Sequence, residues 1–324
     1  MNKLRIFVDF TGTEASLDLL RAEAGGHELL FANAPGGSVL AGSGADPQLA
    51  LADIAFGQPD PRGIETAPHL KWVHVSSSGI TRYDTAEFRA LVARRGIPVT
   101  NSAGVFQEPC ALHVLSFMLA QARCLPRAIK SHAAGGDAEW SSLRYSCTTF
   151  RGKTVLIFGY GAIGRRLAEL LQPLGVTIIG YRRNPGGNET IRMISQDQLA
   201  DTLATVDHVV NILPDSPETR HFFDAKRFEQ IKRGAVFYNI GRGVTVDQDA
   251  LLHTLRSKRL AAAWLDVSEP EPLPEGHPLW SEPNCFITPH IAGGHFEESK
   301  ALVRHFLGNL QRFVKGDPLV DRVM

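Results

Sequence analysis

The chain has 324 residues, 44% of them hydrophobic and 21% charged, which is the make-up of a globular protein too long for one average core. Two domains of ordinary size are therefore expected. Thirty-four Lys and Arg balance 34 Asp and Glu, so a formal net charge of zero gives no support to nucleic acid or another polyanion as a partner.

From the N-terminus, "MNKLRIFVDFTG" holds a short apolar run broken by Asp9, which reads as a strand and not as a signal peptide. Leu4–Val8, Glu28–Phe31, Asp53–Phe56, Trp72–Val75 and Val99–Thr100 read as buried strands with helix or loop between them. After about residue 105 comes a long helical segment, "EPCALHVLSFMLAQAR", with Pro109 tolerable in its first turn. Its apolar part, "CALHVLSFMLA", carries His113 and is expected to be too short for a bilayer, which points to a cytoplasmic protein with no membrane partner. The pattern then restarts, with strands expected at Thr154–Phe158, Val176–Tyr181, His208–Leu213, Ala235–Ile240, Ala261–Val267 and Cys285–Thr288. Helical spacing occupies "AIGRRLAELLQPLG", "SQDQLADTL", "DAKRFEQIK" and "DQDALLHTLRSKR" between them. A last helix, "ESKALVRHFLGNLQRFVKG", lines up Leu302, Phe306, Leu310 and Phe313 on one stripe.

Strand–helix alternation with near-continuous apolar strands implies parallel sheets covered on both faces. The fold class is therefore α/β, with two consecutive blocks forming two domains and a cleft between them. The first block ends near residue 105 and the second near residue 291. The four cysteines, Cys110, Cys124, Cys147 and Cys285, show neither CxxC nor metal-ligand spacing and read as buried or idle thiols, with no metal expected.

Gly159-Tyr-Gly161-Ala162-Ile163-Gly164 follows one of these strands and opens a helix. In that setting the first glycine makes the tight turn, the second lets the backbone approach a pyrophosphate, and the third lets helix and strand pack closely. The helix N-terminus then offers N–H groups to the phosphates. At the end of the next strand, where an acid would accept from a ribose 2′-hydroxyl, stand Tyr181, Arg182, Arg183 and Asn184. A guanidinium can grip a 2′-phosphate with paired donors, which favours NADP(H) over NAD(H). The alternative is that both arginines are solvated charges and NAD(H) binds.

Three further groups fall at C-terminal ends of strands in the second block, where open α/β sheets hold their ligands. Arg242 lies between two glycines in "YNIGRGVTVDQDAL", Asp266, Glu269 and Glu271 lie in "LDVSEPEPLPEGHPLW", and His290 follows Pro289 in "ITPHIAGG". Each alone has an ordinary reading as a solvated arginine, loop glutamates or a locally satisfied histidine. Their convergence on one sheet edge is what draws notice.

With "FGYGAIGRRLAE", "NILPDSPETR" and "RFEQIKRGAVFYNIGRGVTVDQDALLHTLRSKRLAAAWLDV" ahead of "EPLPEGHPLW" and "ITPHIAGG", the chain resembles the D-2-hydroxyacid dehydrogenases over nearly its whole length. The resemblance implies two Rossmann-like doubly wound domains. A flavodoxin-like catalytic domain of residues 1–104 would be completed by 292–324 as the C-terminal helix returns, and 105–291 would bind the dinucleotide. It implies that Arg242 binds the substrate's carboxylate and keto oxygen, that Glu271 pairs with the catalytic histidine, and that His290 is the proton donor or acceptor. Glu269-Pro270 is a competing register, but the family's acid stands five residues past the aspartate, which selects Glu271. Gly159, Gly161, Ala162, Ile163, Gly164, Arg182, Arg183, Leu213, Pro214, Ile240, Gly241, Asp266, Ala292 and Gly293 would line the cofactor, with Asp266 near the nicotinamide amide. Ser78 and Gly79 of "VSSSGI" would face substrate, and a homodimer would form through the nucleotide-binding domain. Departures are Ser268 where an aromatic is common, Leu112 where a glutamate is frequent, and Arg182 in place of the usual aspartate.

The implied reaction is hydride transfer between NAD(P)H and a small 2-oxo acid or D-2-hydroxy acid. "NILPDSPETR" and "EPLP…PLW" look most like the glyoxylate/hydroxypyruvate reductase branch. Glu271 argues against formate dehydrogenases, which carry glutamine there. The rival readings are oxidation of a phosphite-type anion and a dinucleotide-sensing protein of the same fold, like the C-terminal-binding-protein corepressors.

Overall fold

The computed structural model describes residues 3–34, 44, 46–131, 136–182, 186–187 and 189–324, with only the backbone of Asp137. The described residues form two compact units, Met1–Phe106 with Gly294–Met324, and Gln107–Gly293.

In the first unit β1 (Arg5–Asp9), β2 (Glu28–Phe31), β3 (Ile54–Gly57), β4 (Trp72–Val75) and β5 (Val99–Thr100) form a parallel sheet in the order β2-β1-β3-β4-β5. That is the flavodoxin-like doubly wound order. Every residue of β3 and β4 is buried, which is why these strands are apolar throughout and do not alternate. Around the sheet lie α1 (Glu14–Glu23), α2 (Pro61–Thr66) and α3 (Ala86–Arg95), whose first turns are capped by the side chains of Thr13, Asp60 and Thr85. Gly96, at φ 65°, ends α3 in the left-handed conformation that a residue without Cβ takes readily.

The C-terminal helix, Glu298–Lys315, belongs to this unit, as expected. Phe306 stacks on Phe56 at 4.3 Å and on Trp72 at 5.4 Å, and Leu302, Val303, Leu307 and Leu310 join the same core. Beside that core His74 is fully buried, with Nδ1 2.7 Å from Thr100 Oγ1 and Nε2 3.3 Å from Ser102 Oγ. Burial pushes its pKa down to about 3, so the ring is neutral at ordinary pH.

Helix α4 (Ala103–Ala122) starts upstream of the expected position, which puts Pro109 inside the helix and not in its first turn. Two side chains account for the earlier start: Asn101 Oδ1 accepts from Ala103 N–H at 3.2 Å and Asp321 Oδ2 from Gly104 N–H at 2.8 Å. At 20 residues and a mean hydropathy of 1.2, α4 is by length and composition able to cross a membrane, so the apolar stretch is not too short as expected. One face of it is packed within the protein, with Phe117 4.9 Å from Trp264 and Trp264 Nε1 donating to Gln121 Oε1.

In the second unit α5 (Leu125–Lys130) and α6 (Gly136–Ser146) follow α4. Then come β6 (Thr154–Phe158), α7 (Ala162–Leu171), β7 (Thr177–Tyr181), β8 (Arg192–Ile194), α8 (Leu199–Leu203), β9 (His208–Asn211), α9 (Ala225–Gln230) and β10 (Val236–Asn239). After them lie α10 (Gln248–Arg256), β11 (Ala262–Leu265), α11 (Pro278–Ser281) and β12 (Cys285–Ile287). The parallel sheet has the order β12-β11-β10-β9-β6-β7-β8, so the winding reverses between β6 and β9. A reversal of this kind opens a crevice at the carboxyl ends of the two strands, the place where doubly wound sheets bind ligands. Strand β8 was not expected; it pairs at the edge with β7 over only Arg192–Ile194, too short to show a period.

Candidate active site

The turn after β6 is shaped by its glycines. Gly159 has φ 89°, and a Cβ there would meet Ile212 O at 2.8 Å. A Cβ on Gly164 would stand 2.6 Å from Gly159 O, so the helix could not sit this close to the strand with any larger residue. A Cβ on Gly161 would meet nothing within 4 Å, and no side chain caps the N-terminus of α7, which begins at Ala162 and Ile163. The turn therefore fits a dinucleotide pyrophosphate: there is room over Gly161 and a helix end with N–H groups to donate.

At the end of β7, Arg182 lies 3.5 Å from the Glu189 carboxylate. The Gly186 N–H donates to Glu189, which with Arg182 holds the carboxyl below its usual range. Arg183, the other arginine expected here, lies outside the described residues. Beside Tyr181 a cavity of about 370 Å³ is lined by Gln196, Leu213, Glu218, Thr219, Arg220, His221, Phe222 and Arg227. Leu213 N–H donates to the Asn211 side chain, and the Pro214 carbonyl accepts from Thr219 Oγ1.

Arg242 follows β10 in a turn that only glycines permit. A Cβ on Gly241 would be 2.5 Å from Leu213 O, and one on Gly243 would be 1.9 Å from Ser268 O. The arginine's backbone is thus pressed between the loops that leave β9 and β11. Asn211 and Asn239, which end two neighbouring strands and are almost wholly buried, fasten it. Asn211 Nδ2 donates to Asn239 Oδ1 at 3.0 Å and Thr245 Oγ1 at 2.7 Å, while Asn239 Nδ2 and the Thr245 hydroxyl both donate to Arg242 O. The Arg242 guanidinium bonds its neighbour's carbonyl, Gly241 O, at 2.7 Å. Ile240 is buried just ahead of this turn.

His290 Nδ1 and Glu271 Oε2 are 2.7 Å apart. Glu271 Oε1 accepts from the Ser268 N–H at 3.1 Å, whereas the Glu269 backbone is held by the Gln248 side chain, so of the two glutamates it is Glu271 that meets the histidine. Ser268, the departure from an aromatic, is buried here, and its amide serves that acid.

The His290 backbone has φ 52°, a left-handed conformation that costs a residue with a Cβ of order 1 kcal/mol or more and persists only where its surroundings impose it. Asp266 imposes it. Its carbonyl accepts from His290 N–H at 2.8 Å, and its carboxylate accepts from the Thr288 hydroxyl, Ile291 N–H and Ala292 N–H at 2.6, 2.9 and 2.8 Å. Gly293 follows at the end of the unit.

The electrostatics follow from this geometry. The hydrogen bond to Glu271 raises the His290 pKa above 6.5, against burial and the Arg242 charge, with the charges of Glu271 and Asp266 also raising it. Burial pushes the Glu271 carboxyl up, but the His290 hydrogen bond and charge, the Ser268 N–H and Arg242 outweigh it, and the net shift is down. An imidazole whose protonated form is favoured and a guanidinium near enough to act on both partners can together bind an anion and deliver a proton.

Ser78 and Gly79 lie in the first unit, past β4, with the Ser78 carbonyl accepting from Asn101 Nδ2 at 2.7 Å and the Gly79 carbonyl from Ser77 Oγ at 2.6 Å. Sequence reading missed Asn211, Asn239, Thr245 and Thr288. The one signal for the two asparagines is an amide closing an apolar run, in "VVN" and again in "FYN".

Residues 115–292 match the model of the family described as D-isomer specific 2-hydroxyacid dehydrogenase, NAD binding domain. The chain belongs to that family. It is similar to the glyoxylate reductase/hydroxypyruvate reductase of Homo sapiens, at 34% identity over 80% of this chain and 79% of that one. The glyoxylate reductase of Thermofilum pendens is 31% identical over 83% of this chain and 79% of that one. Among solved structures, a D-isomer specific 2-hydroxyacid dehydrogenase from Xanthobacter autotrophicus Py2, in complex with NADPH and MES, superposes with a TM-score of 0.74 at 28% identity, covering 100% of this chain and 98% of that one. The chain is accordingly an NAD(P)-dependent oxidoreductase of 2-hydroxy acids.

Proposed function

We propose that this enzyme reduces a small 2-oxo acid, glyoxylate or hydroxypyruvate, with NADPH as the favoured hydride donor and NADH as the alternative. The observation that carries the reading is the His290–Glu271 contact of 2.7 Å, with Arg242 acting on both. The names of the human and Thermofilum reductases support the choice of acid.

Gly159, Gly161, Ala162, Ile163 and Gly164 would hold the pyrophosphate, and Leu213, Pro214, Ile240, Gly241, Asp266, Ala292 and Gly293 would line the rest of the dinucleotide. The bound dinucleotide supplies the hydride. Arg242 binds the carboxylate and carbonyl oxygen of the substrate and stabilises the negative charge that builds on that oxygen. His290 gives the oxygen its proton, and Glu271 keeps the ring charged for that purpose. In the reverse direction the same pair takes the proton back. Ser78 and Gly79 are assigned to substrate, and the loop that fixes their carbonyls supports that role.

The preference for NADP(H) rests on Arg182, with Arg183 beside it in sequence, and is supported by the NADPH in the Xanthobacter neighbour. Glu189 holds Arg182 at the strand end, where its guanidinium would meet a 2′-phosphate.

A homodimer through the second unit is supported by the apolar side chains exposed on and after α4: Leu112 and Leu119 at 44% and 40%, Leu125 at 44%, Ile129 at 73%, Trp140 at 59% and Tyr145 at 81%. Sedimentation should give twice the chain mass, and Leu119→Glu should shift it toward the monomer.

Oxidation of NADPH and of NADH should be followed with glyoxylate, hydroxypyruvate and larger 2-oxo acids, and its reverse with phosphite and NAD(P)⁺. Turnover is expected with the small 2-oxo acids and faster with NADPH. Turnover with phosphite alone would replace the reading, and binding without turnover of any acid would make the chain a sensor.

A further inference from the structure

The turn that carries His290 is held from a second side by a residue of α4. His113 Nε2 is 3.2 Å from Thr288 Oγ1 and 3.6 Å from Asp266 Oδ1. Asp266, with its side chain 1% exposed, takes hydrogen bonds from Thr288, Ile291 and Ala292 and gives none. The Thr288 hydroxyl proton therefore points to Asp266 at 2.6 Å, and the hydroxyl oxygen is left to accept from His113. That order fixes the tautomer of His113 with hydrogen on Nε2. The ring is held in place by edge-on packing against Phe117 at 4.3 Å, and Phe117 in turn packs on Trp264.

We propose that His113 and Thr288 are positioning residues of the reaction, forming a relay from α4 through Asp266 that locks the left-handed turn presenting His290. The inference rests on the function proposed above for His290. Thr288 sits two residues before His290, and its hydroxyl donates to the same carboxylate that receives the amides of Ile291 and Ala292 after it. Both flanks of the histidine are thus tied to one anchor, and the anchor is tied to a helix. Removing the hydroxyl leaves His113 without its acceptor and one flank held by backbone hydrogen bonds alone, so the ring can shift against Glu271. Misplacement of a reacting group by about 1 Å can cost on the order of a hundredfold in rate.

The test uses Thr288→Val, which keeps the shape and removes the hydroxyl, Thr288→Ser, which restores it, and His113→Phe, which keeps the packing on Phe117. Each is measured for kcat and KM, for NADPH affinity by fluorescence titration, and for the His290 pKa by NMR in the dinucleotide-free protein. Thr288→Val is expected to lose about 10- to 100-fold in kcat. Its KM should change by less than about threefold, as befits a group that acts only on the chemical step. Its His290 pKa should fall toward the ordinary value as the Glu271 contact loosens. His113→Phe should show the same pattern to a smaller degree, and Thr288→Ser should restore kcat to within about threefold of wild type.

Wild-type kcat and His290 pKa in Thr288→Val would overturn the relay, as would equal impairment in Thr288→Ser, which would assign the effect to a lost methyl group. If Thr288→Val does not fold, His113→Phe decides alone, and wild-type values there would overturn it. His290→Gln separates the two layers. Full activity in that variant removes the proposed function, whereas its inactivity beside an unimpaired Thr288→Val removes only the relay.

Discussion

Each unit of the molecule places a histidine at its parallel sheet, and the two meet opposite surroundings. His74 lies within β4 at 0% exposure, between two hydroxyls and against the rings of Phe56, Trp72 and Phe306. His290 lies just past β12 with its side chain 43% exposed and a carboxylate 2.7 Å away. Burial drives the first pKa down to about 3, while the hydrogen bond to Glu271 raises the second above 6.5. A hydroxyl pair satisfies a neutral ring, whereas a partly buried carboxylate favours a charged one. Having a histidine at the sheet therefore does not set its charge; burial lowers the one pKa and the hydrogen bond to a carboxylate raises the other.

The pH signs also oppose. His74 has a folded pKa below its unfolded value, so its contribution to stability is present above about pH 6.5 and is lost as pH falls toward about 3. His290 has a raised pKa, so its contribution is present below about pH 6.5 and is lost as pH rises through the folded pKa.

The strongest way to break the contrast is to remove each ring. His290→Gln should lower kcat by about 10²- to 10⁴-fold with the melting temperature and NADPH affinity little changed. His74→Leu should instead cost about 1–3 kcal/mol in a denaturant titration and flatten the loss of stability on acidification, with kcat unaltered. A large loss of kcat in His74→Leu would erase the distinction. Glu271→Gln sharpens it. In wild type, kcat for reduction should fall as pH rises past the raised His290 pKa, and in the variant that limb should move to lower pH, with a loss of about tenfold between the two limbs for each pKa unit moved. The smallest effect is expected at a carboxylate–cation pair elsewhere in the second unit, Arg182 with Glu189. Arg182→Ser should weaken NADPH binding by about tenfold and leave NADH within about twofold, read by fluorescence titration with each dinucleotide.

Much of this arrangement could be read from the chain before folding. Strands such as Trp72–Val75 and Thr154–Phe158 stand out because a parallel strand buried on both faces needs apolar residues throughout. Arg242, Glu271 and His290 were legible because each sits in a turn whose glycines or prolines mark a strand end. What was hidden depends on distant partners. The start of α4 is set by Asp321, 217 residues away in sequence from the Gly104 it caps. The asparagine pair that fastens Arg242 shows its purpose only once β9 and β10 lie side by side. Asp266 could be named from its motif, yet its hold on the His290 turn is a property of the folded loop. The sequence offers Arg182 as a cation awaiting a phosphate, and the folded chain adds a carboxylate, Glu189, to which it is paired.

The most direct trial of the Arg242–Glu271–His290 site is single-turnover reduction of glyoxylate by enzyme-bound NADPH, followed across pH in wild type and in His290→Gln. The wild-type rate is expected to fall at alkaline pH through one ionisation above the ordinary histidine value, and the variant should lose both that ionisation and most of the rate. An unchanged rate and the same alkaline limb in His290→Gln would contradict the site.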